Sequence, residues 1–203
     1  MRLTNRLTAA LKQYVPQILE WFKDKDTVVF CDFLTRWPNL KHVQRARKAR
    51  MRAFFHEHNV RSPHIIEERL QAILQATPLT SDARVIAPYR LLVEVLVQQL
   101  RVVLQAIARF DMEIAHLAPT LPDYTLFCAL PGAGAVYAPR LLAAFGEQRE
   151  RYQSAADVQK FAGLAPVTER SGHKCWVHWC LHCPQCLRQT FVEWAAQSIP
   201  HSY

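Results

Sequence analysis

Apolar residues in the middle of the chain recur at alternating spacings of three and four. Ile86, Tyr89, Val93, Leu96, Leu100, Val103, Ile107, Phe110, Ile114 and Leu117 follow this rule without a miss, a heptad repeat sustained over roughly five heptads. At about 1.5 Å per residue such a helix spans on the order of 50 Å. That is longer than a core helix needs to be in a chain of this size. A long helix buried in a bundle satisfies the spacing. A coiled coil that joins another copy or another helix satisfies the length as well. Pro119 and Pro122 stop the helix, because proline removes a backbone donor and clashes with the preceding turn.

Upstream, residues 63–76 open with Pro63, end before Thr77-Pro78 and carry Ile65, Ile66, Leu70, Ile73 and Leu74 on one side, which predicts a second, shorter helix. All five glycines, Gly132, Gly134, Gly146, Gly163 and Gly172, lie in the C-terminal part. The first 131 residues therefore read as helix and short turns. The pattern predicts a mainly α fold in three parts: a helical basic region over 1–82, a coiled-coil helix over 83–120, and a small domain with a helix-hairpin-helix over 121–203.

The chain has 203 residues and 23.4 kDa, which excludes a large multidomain machine. Half of the residues are hydrophobic, 21% are charged and the mean hydropathy is -0.08, which excludes wholesale disorder. The net charge of +8 favours a polyanionic partner, nucleic acid ahead of an anionic membrane. No run of about 18 uncharged apolar residues occurs, and the start lacks the apolar core of a secretory signal. We therefore expect no membrane partner and a cytoplasmic location.

The charge is concentrated. Residues 36–61 hold Arg36, Lys41, Arg45, Arg47, Lys48, Arg50, Arg52 and Arg61 against one acid, Glu57. Asn39 can cap a helix that carries the sequence RARKARMR, with Val43, Phe54 and Phe55 as a modest apolar face. Two readings stand: a solvated helix, or a phosphate-tracking surface in which Arg45, Arg47, Lys48 and Arg50 make the contacts.

Residues 126–146, LFCALPGAGAVYAPRLLAAFG, read as an apolar turn, a Pro-Gly-Ala-Gly hairpin and a small-residue helix, the pattern of a helix-hairpin-helix DNA-binding unit. Gly132 and Gly134 can let backbone amides at the following helix N-terminus approach a phosphate, and Arg140 can add a second contact. A plain helix-helix turn explains the same letters. Ser154 to Asp157 is a Ser-x-x-acid helix start ending near Phe161. Farther on, Ser171-Gly172 falls in a polar, irregular stretch between Arg170 and Lys174. A serine there can attack a phosphodiester while the two cations hold its nonbridging oxygens. Most loop serines are structural, so composition alone is weak support for catalysis.

Four of the six cysteines crowd into 175–186, and nothing suggests export, so the thiols read as free or metal-bound in a reducing compartment. Cys180, Cys183 and Cys186 have two-residue spacings, with Cys175, His173, His178 and His182 nearby. Against a zinc site, the ligands are bunched, and Pro184 begins a helix that carries Cys186 on one face with Phe191 and Trp194. Unligated thiols are the expectation.

These residues carry a family resemblance. LFCALPGAGAVYAPRLLAAFGEQRERYQSAADVQKFAGLAPVTERSG, followed by WVHW, CP and LRQTFVEWAAQS, closely resembles the C-terminal domain of bacterial insertion-sequence transposases that pair a RuvC-like, four-acid (DEDD) nuclease domain with a catalytic serine domain and are guided by a bridge RNA. LKQYVPQILEWF, FLTRWPNL, RAFFHEHNVRSPHIIEERLQAI and the heptad helix look like the region between the acidic strands and the serine domain of that family. The resemblance implies DNA transposition, with Ser171 as the nucleophile that links covalently to a DNA phosphate. It also implies assembly as a homo-oligomer through the heptad helix, guide RNA and DNA near the basic segment, and a nucleoid-associated place in a bacterial cytoplasm.

The chain departs from that family in three places. It opens with helix-like sequence instead of an aspartate-bearing strand, and Asp24, Asp26 and Asp32 cluster without intervening strands. No cofactor is expected in this chain, magnesium belonging to the RuvC-like domain. Cys180-Leu181-His182 and Cys183-Pro184-Gln185-Cys186 differ from the basic or bulky residues of the family. The end at His201-Ser202-Tyr203 falls short of the closing helices, which leads us to expect a truncated copy, inactive alone, with apolar surface exposed around Phe191 and Trp194. A non-catalytic nucleic-acid-binding and dimerisation module is the alternative, and a zinc-binding adaptor is the weakest reading.

Overall fold

The computed structural model describes residues 2–180 and 183–201. His182, beside the cysteine cluster, and Ser202 and Tyr203 at the end, lie outside the described residues. Helix dominates, as the periodicity predicts, with one two-stranded sheet among the described residues. The chain divides into two units, Met1–Arg109 and Phe110–Tyr203.

In the first unit, α1 (Arg2–Leu11), α2 (Ile18–Trp21), α3 (Val28–Arg36), α4 (Leu40–Gln44), α5 (Lys48–Glu57) and α6 (Pro63–Gln75) are followed by α7 (Ala83–Leu117), whose residues from Phe110 on belong to the second unit. The core is aromatic. Phe22, Phe30, Phe33, Trp37, Phe54 and Phe55 are buried, and the Phe33 ring lies 4.9 Å from Phe22, 5.0 Å from Trp37 and 5.9 Å from Phe54. Edge-on and tilted ring pairs of this kind add to the area burial of each side chain. The open carbonyls that end α6 are satisfied from outside the helix: Gln44 Nε2 donates to the Ile73 carbonyl at 3.0 Å and to that of Ala76 at 2.7 Å.

The basic segment does not form one helix. Asn39 caps only the short α4, accepting from the His42 amide at 3.0 Å. The chain breaks at Arg45, and α5 starts at Lys48 with Arg47 as its N-cap in extended conformation. The apolar face is also stronger than the letters suggest, because Met51, Phe54 and Phe55 are all fully buried.

Helix α7 confirms a continuous helix over the heptads but divides their seam. Val93, Leu96, Val97 and Leu100 are buried in the first unit's core. Val103, Ile107, Phe110, Ile114 and Leu117 are 46–68% exposed. At its buried stretch α7 is tied to α3 by ions: Arg101 Nη2 lies 2.5 Å from Asp32 Oδ1 and donates to Thr35 Oγ1 at 3.0 Å, while His58 Nε2 sits 3.2 Å from Asp32 Oδ2. Among the described residues α7 and the 3-10 turn after it are long and apolar enough to cross a membrane, with a hydropathy of 1.6 in a window of which 22% is buried.

The second unit contains α8 (Tyr124–Cys128), α9 (Gly134–Phe145), α10 (Ala155–Phe161), β1 (Val167–Ser171), β2 (Lys174–His178) and α11 (Gln185–Ser198). Phe127, Ala138, Leu141, Ala144, Ala162 and Phe191 are buried in its core, and the Phe145 ring lies 5.6 Å from Phe127 and 5.7 Å from Phe191. Phe191 and Trp194 are themselves covered, whereas Val192 and Ile199 near them are 53% and 68% exposed, so apolar surface does remain around the pair. Phe191 is 7% exposed, and the Trp194 indole is partly buried and donates to the Pro131 carbonyl at 2.9 Å. Helix α11 itself closes this core.

Candidate functional site

Ser171 sits at the end of a strand and not in an irregular loop. β1 and β2 pair antiparallel, Ser171 opposite Lys174, Arg170 opposite Cys175, Glu169 opposite Trp176 and Val167 opposite His178. The two turn residues are Gly172 and His173. Gly172 has φ +60, and His173 has no positive φ, so glycine takes the first turn position, where a tight hairpin needs it. The sequence signal was present: alternating residues flank a two-residue Gly-containing turn.

Opposed residues share a face of the hairpin and neighbours along a strand alternate. The register therefore puts Ser171, Lys174, Glu169, Trp176 and His178 on one face, and Arg170 and Cys175 on the other. The expected clamp of Arg170 and Lys174 around Ser171 is thus corrected to one cation, Lys174, on the serine's own face. Every position of the hairpin except half-buried Val167 is exposed. His178 Nε2 lies 3.6 Å from Glu169 Oε1. Trp176, Val177 and Trp179 are 49%, 66% and 67% exposed. From the sequence, WVHW enters only as part of the family resemblance, and the exposure of these side chains is what the structure adds.

The two glycines of the α8–α9 turn do different work. A Cβ at Gly132 (φ +69) would lie 2.6 Å from the Gln197 carbonyl oxygen, so that space belongs to α11. At Gly134 (φ +50), the first residue of α9, nothing lies within 4 Å. Arg140, on α9, is paired with Glu193 at 3.4 Å and lies 5.7 Å from the Tyr137 ring centroid. The next helix starts as its letters predict: the Ser154 hydroxyl accepts from the Asp157 amide at 3.3 Å and donates to Asp157 Oδ2 at 2.9 Å. That hydroxyl bond holds the Asp157 carboxyl below the ordinary carboxylate range.

In the first unit Arg45, Arg47, Lys48 and Arg50 are all exposed, and none forms an ion pair among the described residues. Arg52, in contrast, is bound to Glu67 at 2.7 Å, which lowers the Glu67 carboxyl.

The cysteines are free thiols, Cys175 and Cys186 exposed, Cys128, Cys180 and Cys183 half-buried, and Cys31 buried, where burial pushes its thiol up. Arg188 of α11 donates to the Cys180 carbonyl and the Cys183 thiol. Thr190 and Phe191 are the buried residues of α11, and Cys186, one turn before Thr190, is exposed. Among the described residues no three His, Cys, Asp or Glu side chains gather to hold a metal ion. Asp32 is committed to Arg101 and His58.

Residues 124–203 match the family model of the Transposase IS116/IS110/IS902 family. The chain is 26% identical over 186 residues to a Streptomyces coelicolor protein described as "Mini-circle putative transposase for IS117". That alignment takes in 87% of this chain and 44% of the relative, so the chain spans less than half the length of the curated relative it matches. No solved structure matches. The two similarities, one confined to the second unit and one running through most of the chain, support an insertion-sequence transposase.

Proposed function

We propose that this chain is the DNA-binding and strand-transfer part of an insertion-sequence transposase, with Ser171 as its nucleophile. The observation that carries the reading is the coincidence of a transposase family match over 124–203 with a serine held at the tip of an exposed hairpin, opposite a lysine. The step is a transesterification. Ser171 Oγ bonds to the phosphorus, the bond from phosphorus to a deoxyribose oxygen breaks, and the serine proton leaves as that oxygen gains one. The energy of the phosphodiester is kept in the serine link, so the reverse attack reseals a strand without a co-reactant. Lys174 neutralises a nonbridging oxygen as charge develops there.

Arg45, Arg47, Lys48 and Arg50 follow the phosphate backbone of DNA or guide RNA, and the open side of Gly134 admits a phosphate at the start of α9. The exposed part of α7 joins a second copy as a coiled coil, so its apolar seam faces protein and not a membrane. The assembly works in the bacterial cytoplasm, beside the nucleoid.

A second reading has its own observation. Ser171 makes no side-chain hydrogen bond among the described residues, so nothing described in this chain activates the hydroxyl. In that reading the chain binds nucleic acid and dimerises without catalysis. The deciding experiment incubates the parent chain and Ser171→Ala with donor DNA, guide RNA, magnesium and an acidic domain from a full-length relative, then seeks a peptide–DNA adduct after proteolysis. We expect the adduct from the parent only. An adduct in the Ala variant overturns Ser171, and binding without any adduct favours the second reading.

A further inference from the structure

Three of the five tryptophans are packed against other rings: Trp21 and Trp37 on Phe33, and Trp194 on Phe191. Trp176 has no ring partner among the described residues and stands 49% exposed on a hairpin of which every described position but half-buried Val167 is exposed. A large indole left in water on a two-stranded ribbon is an unspent contact surface. Its surroundings select the partner. Two cations, Arg170 and Lys174, stand within the hairpin against one acid, Glu169, which lies 3.6 Å from His178, and of the two cations Lys174 shares the face of the indole. Charge complementarity therefore points to a polyanion, and a flat aromatic beside cations is what unpaired bases stack on.

The register adds position. Trp176 lies on the same face as Ser171 and Lys174, and its cross-strand partner Glu169 is two residues from Ser171, a separation of about 7 Å along the strand. That is the scale of one nucleotide.

We propose that Trp176 is a positioning residue: an unpaired DNA base stacks on its indole and thereby sets the adjoining phosphate over Ser171. The inference rests on the transposase reading above and deepens it. Bases inside a duplex are covered by their neighbours, so the platform acts on a strand that is already opened, or on a base turned out of the stack. Lys174 holds the phosphate while Trp176 holds the base, and the two together fix which phosphodiester faces the hydroxyl.

The test uses the full chain with a fluorescein-labelled single-stranded DNA oligonucleotide, the same sequence as a duplex, the same strand with abasic spacers, and the matching RNA. The expected result is quenching of indole fluorescence by the single strand in the parent and in Trp179→Leu. In Trp176→Leu that quenching is lost and single-strand affinity falls about tenfold, while duplex affinity stays within about twofold because phosphate contacts dominate it. Trp176→Phe recovers most of the loss, and abasic spacers remove the difference between parent and variant.

Unchanged single-strand affinity in Trp176→Leu overturns this inference and leaves the DNA-binding reading standing. Failure of the parent to bind either DNA overturns both. A loss confined to RNA, or a change of sedimentation without change in DNA affinity, assigns the indole to RNA or to a second copy and overturns the platform.

Discussion

Gly132 lies against the backbone of Gln197, closely enough that a Cβ would come within 2.6 Å of the Gln197 carbonyl oxygen and 2.8 Å of the Ser198 nitrogen. The α8–α9 turn thus serves as the seat for the C-terminal end of α11. Trp194 seals the same junction through its bond to the Pro131 carbonyl. A turn that reads as a phosphate cradle is, at its first glycine, a packing contact.

Gly132→Ala is therefore expected to lower stability by about 1–3 kcal/mol, from backbone strain at positive φ together with a clash that moves α11. Gly134→Ala keeps the strain but meets open space, so it costs about 1 kcal/mol and leaves α11 in place. Thermal unfolding separates the two, and equal stability of both variants would show that α11 yields easily. If the start of α9 holds a phosphate, Gly134→Ala alone also weakens DNA binding in the folded protein.

The helical class, the length of α7, the start of α6 at Pro63 and the Ser154 cap were legible, because each depends on local periodicity or on a side chain bonding a nearby amide. The aromatic core was not. Phe22, Phe30, Phe33 and Trp37 sit on short segments with no sustained period, and only tertiary contact joins them to Phe54 and Phe55. The hairpin was overlooked because proline and glycine around 163–166 suggested irregular chain, while the strand pairing depends on register. Sequence adjacency then made Arg170 look like a neighbour of Ser171, when alternation along a strand sends it to the opposite face.

The divided seam of α7 changes how self-association is to be probed. Leu100 is 5% exposed in the first unit's own core, so Leu100→Lys unfolds that unit and reports nothing about assembly. Ile107 and Ile114 are 50% and 47% exposed. Ile107→Lys with Ile114→Lys is expected to leave helix content and unfolding temperature nearly unchanged while converting the assembled protein to monomer in sedimentation. A parent chain that is already monomeric at the same concentration removes the coiled coil from the proposal.

Four exposed cations, Arg45, Arg47, Lys48 and Arg50, without ion pairs among the described residues, surround the break between α4 and α5. Each phosphate they neutralise releases condensed counterions, so changing all four to Ala should flatten the slope of log affinity against log salt by roughly 3–4. Changing Arg52 instead breaks its bond to Glu67 and is expected to act on the slope by less than about one. Titration of a labelled duplex across a salt series measures both, and an unchanged slope in the fourfold variant places the contact surface elsewhere.

Tyr14 links stability to alkaline pH. Its ring is 3% exposed, its hydroxyl donates to the Pro38 carbonyl at 3.2 Å, and burial pushes its phenol well above the ordinary value, a shift that Arg90 only partly offsets. The folded chain holds the phenol proton to higher pH than the unfolded chain does. Stability from this group is therefore complete below about pH 10, the unfolded value, and is lost as pH rises from there through the folded value. Above pH 10 each further unit costs about 1.4 kcal/mol while only the unfolded phenol ionises. Tyr14→Phe removes that loss but leaves the Pro38 carbonyl without its donor, at about 1 kcal/mol. Denaturant unfolding of both chains from pH 8 to 11 is expected to show the Phe variant less stable at the low end and the curves crossing within about one unit above pH 10. Other tyrosines titrate alike in the two chains and cancel in the difference. Parallel curves across the range would mean that the Tyr14 phenol ionises as readily in the folded protein as in the unfolded one.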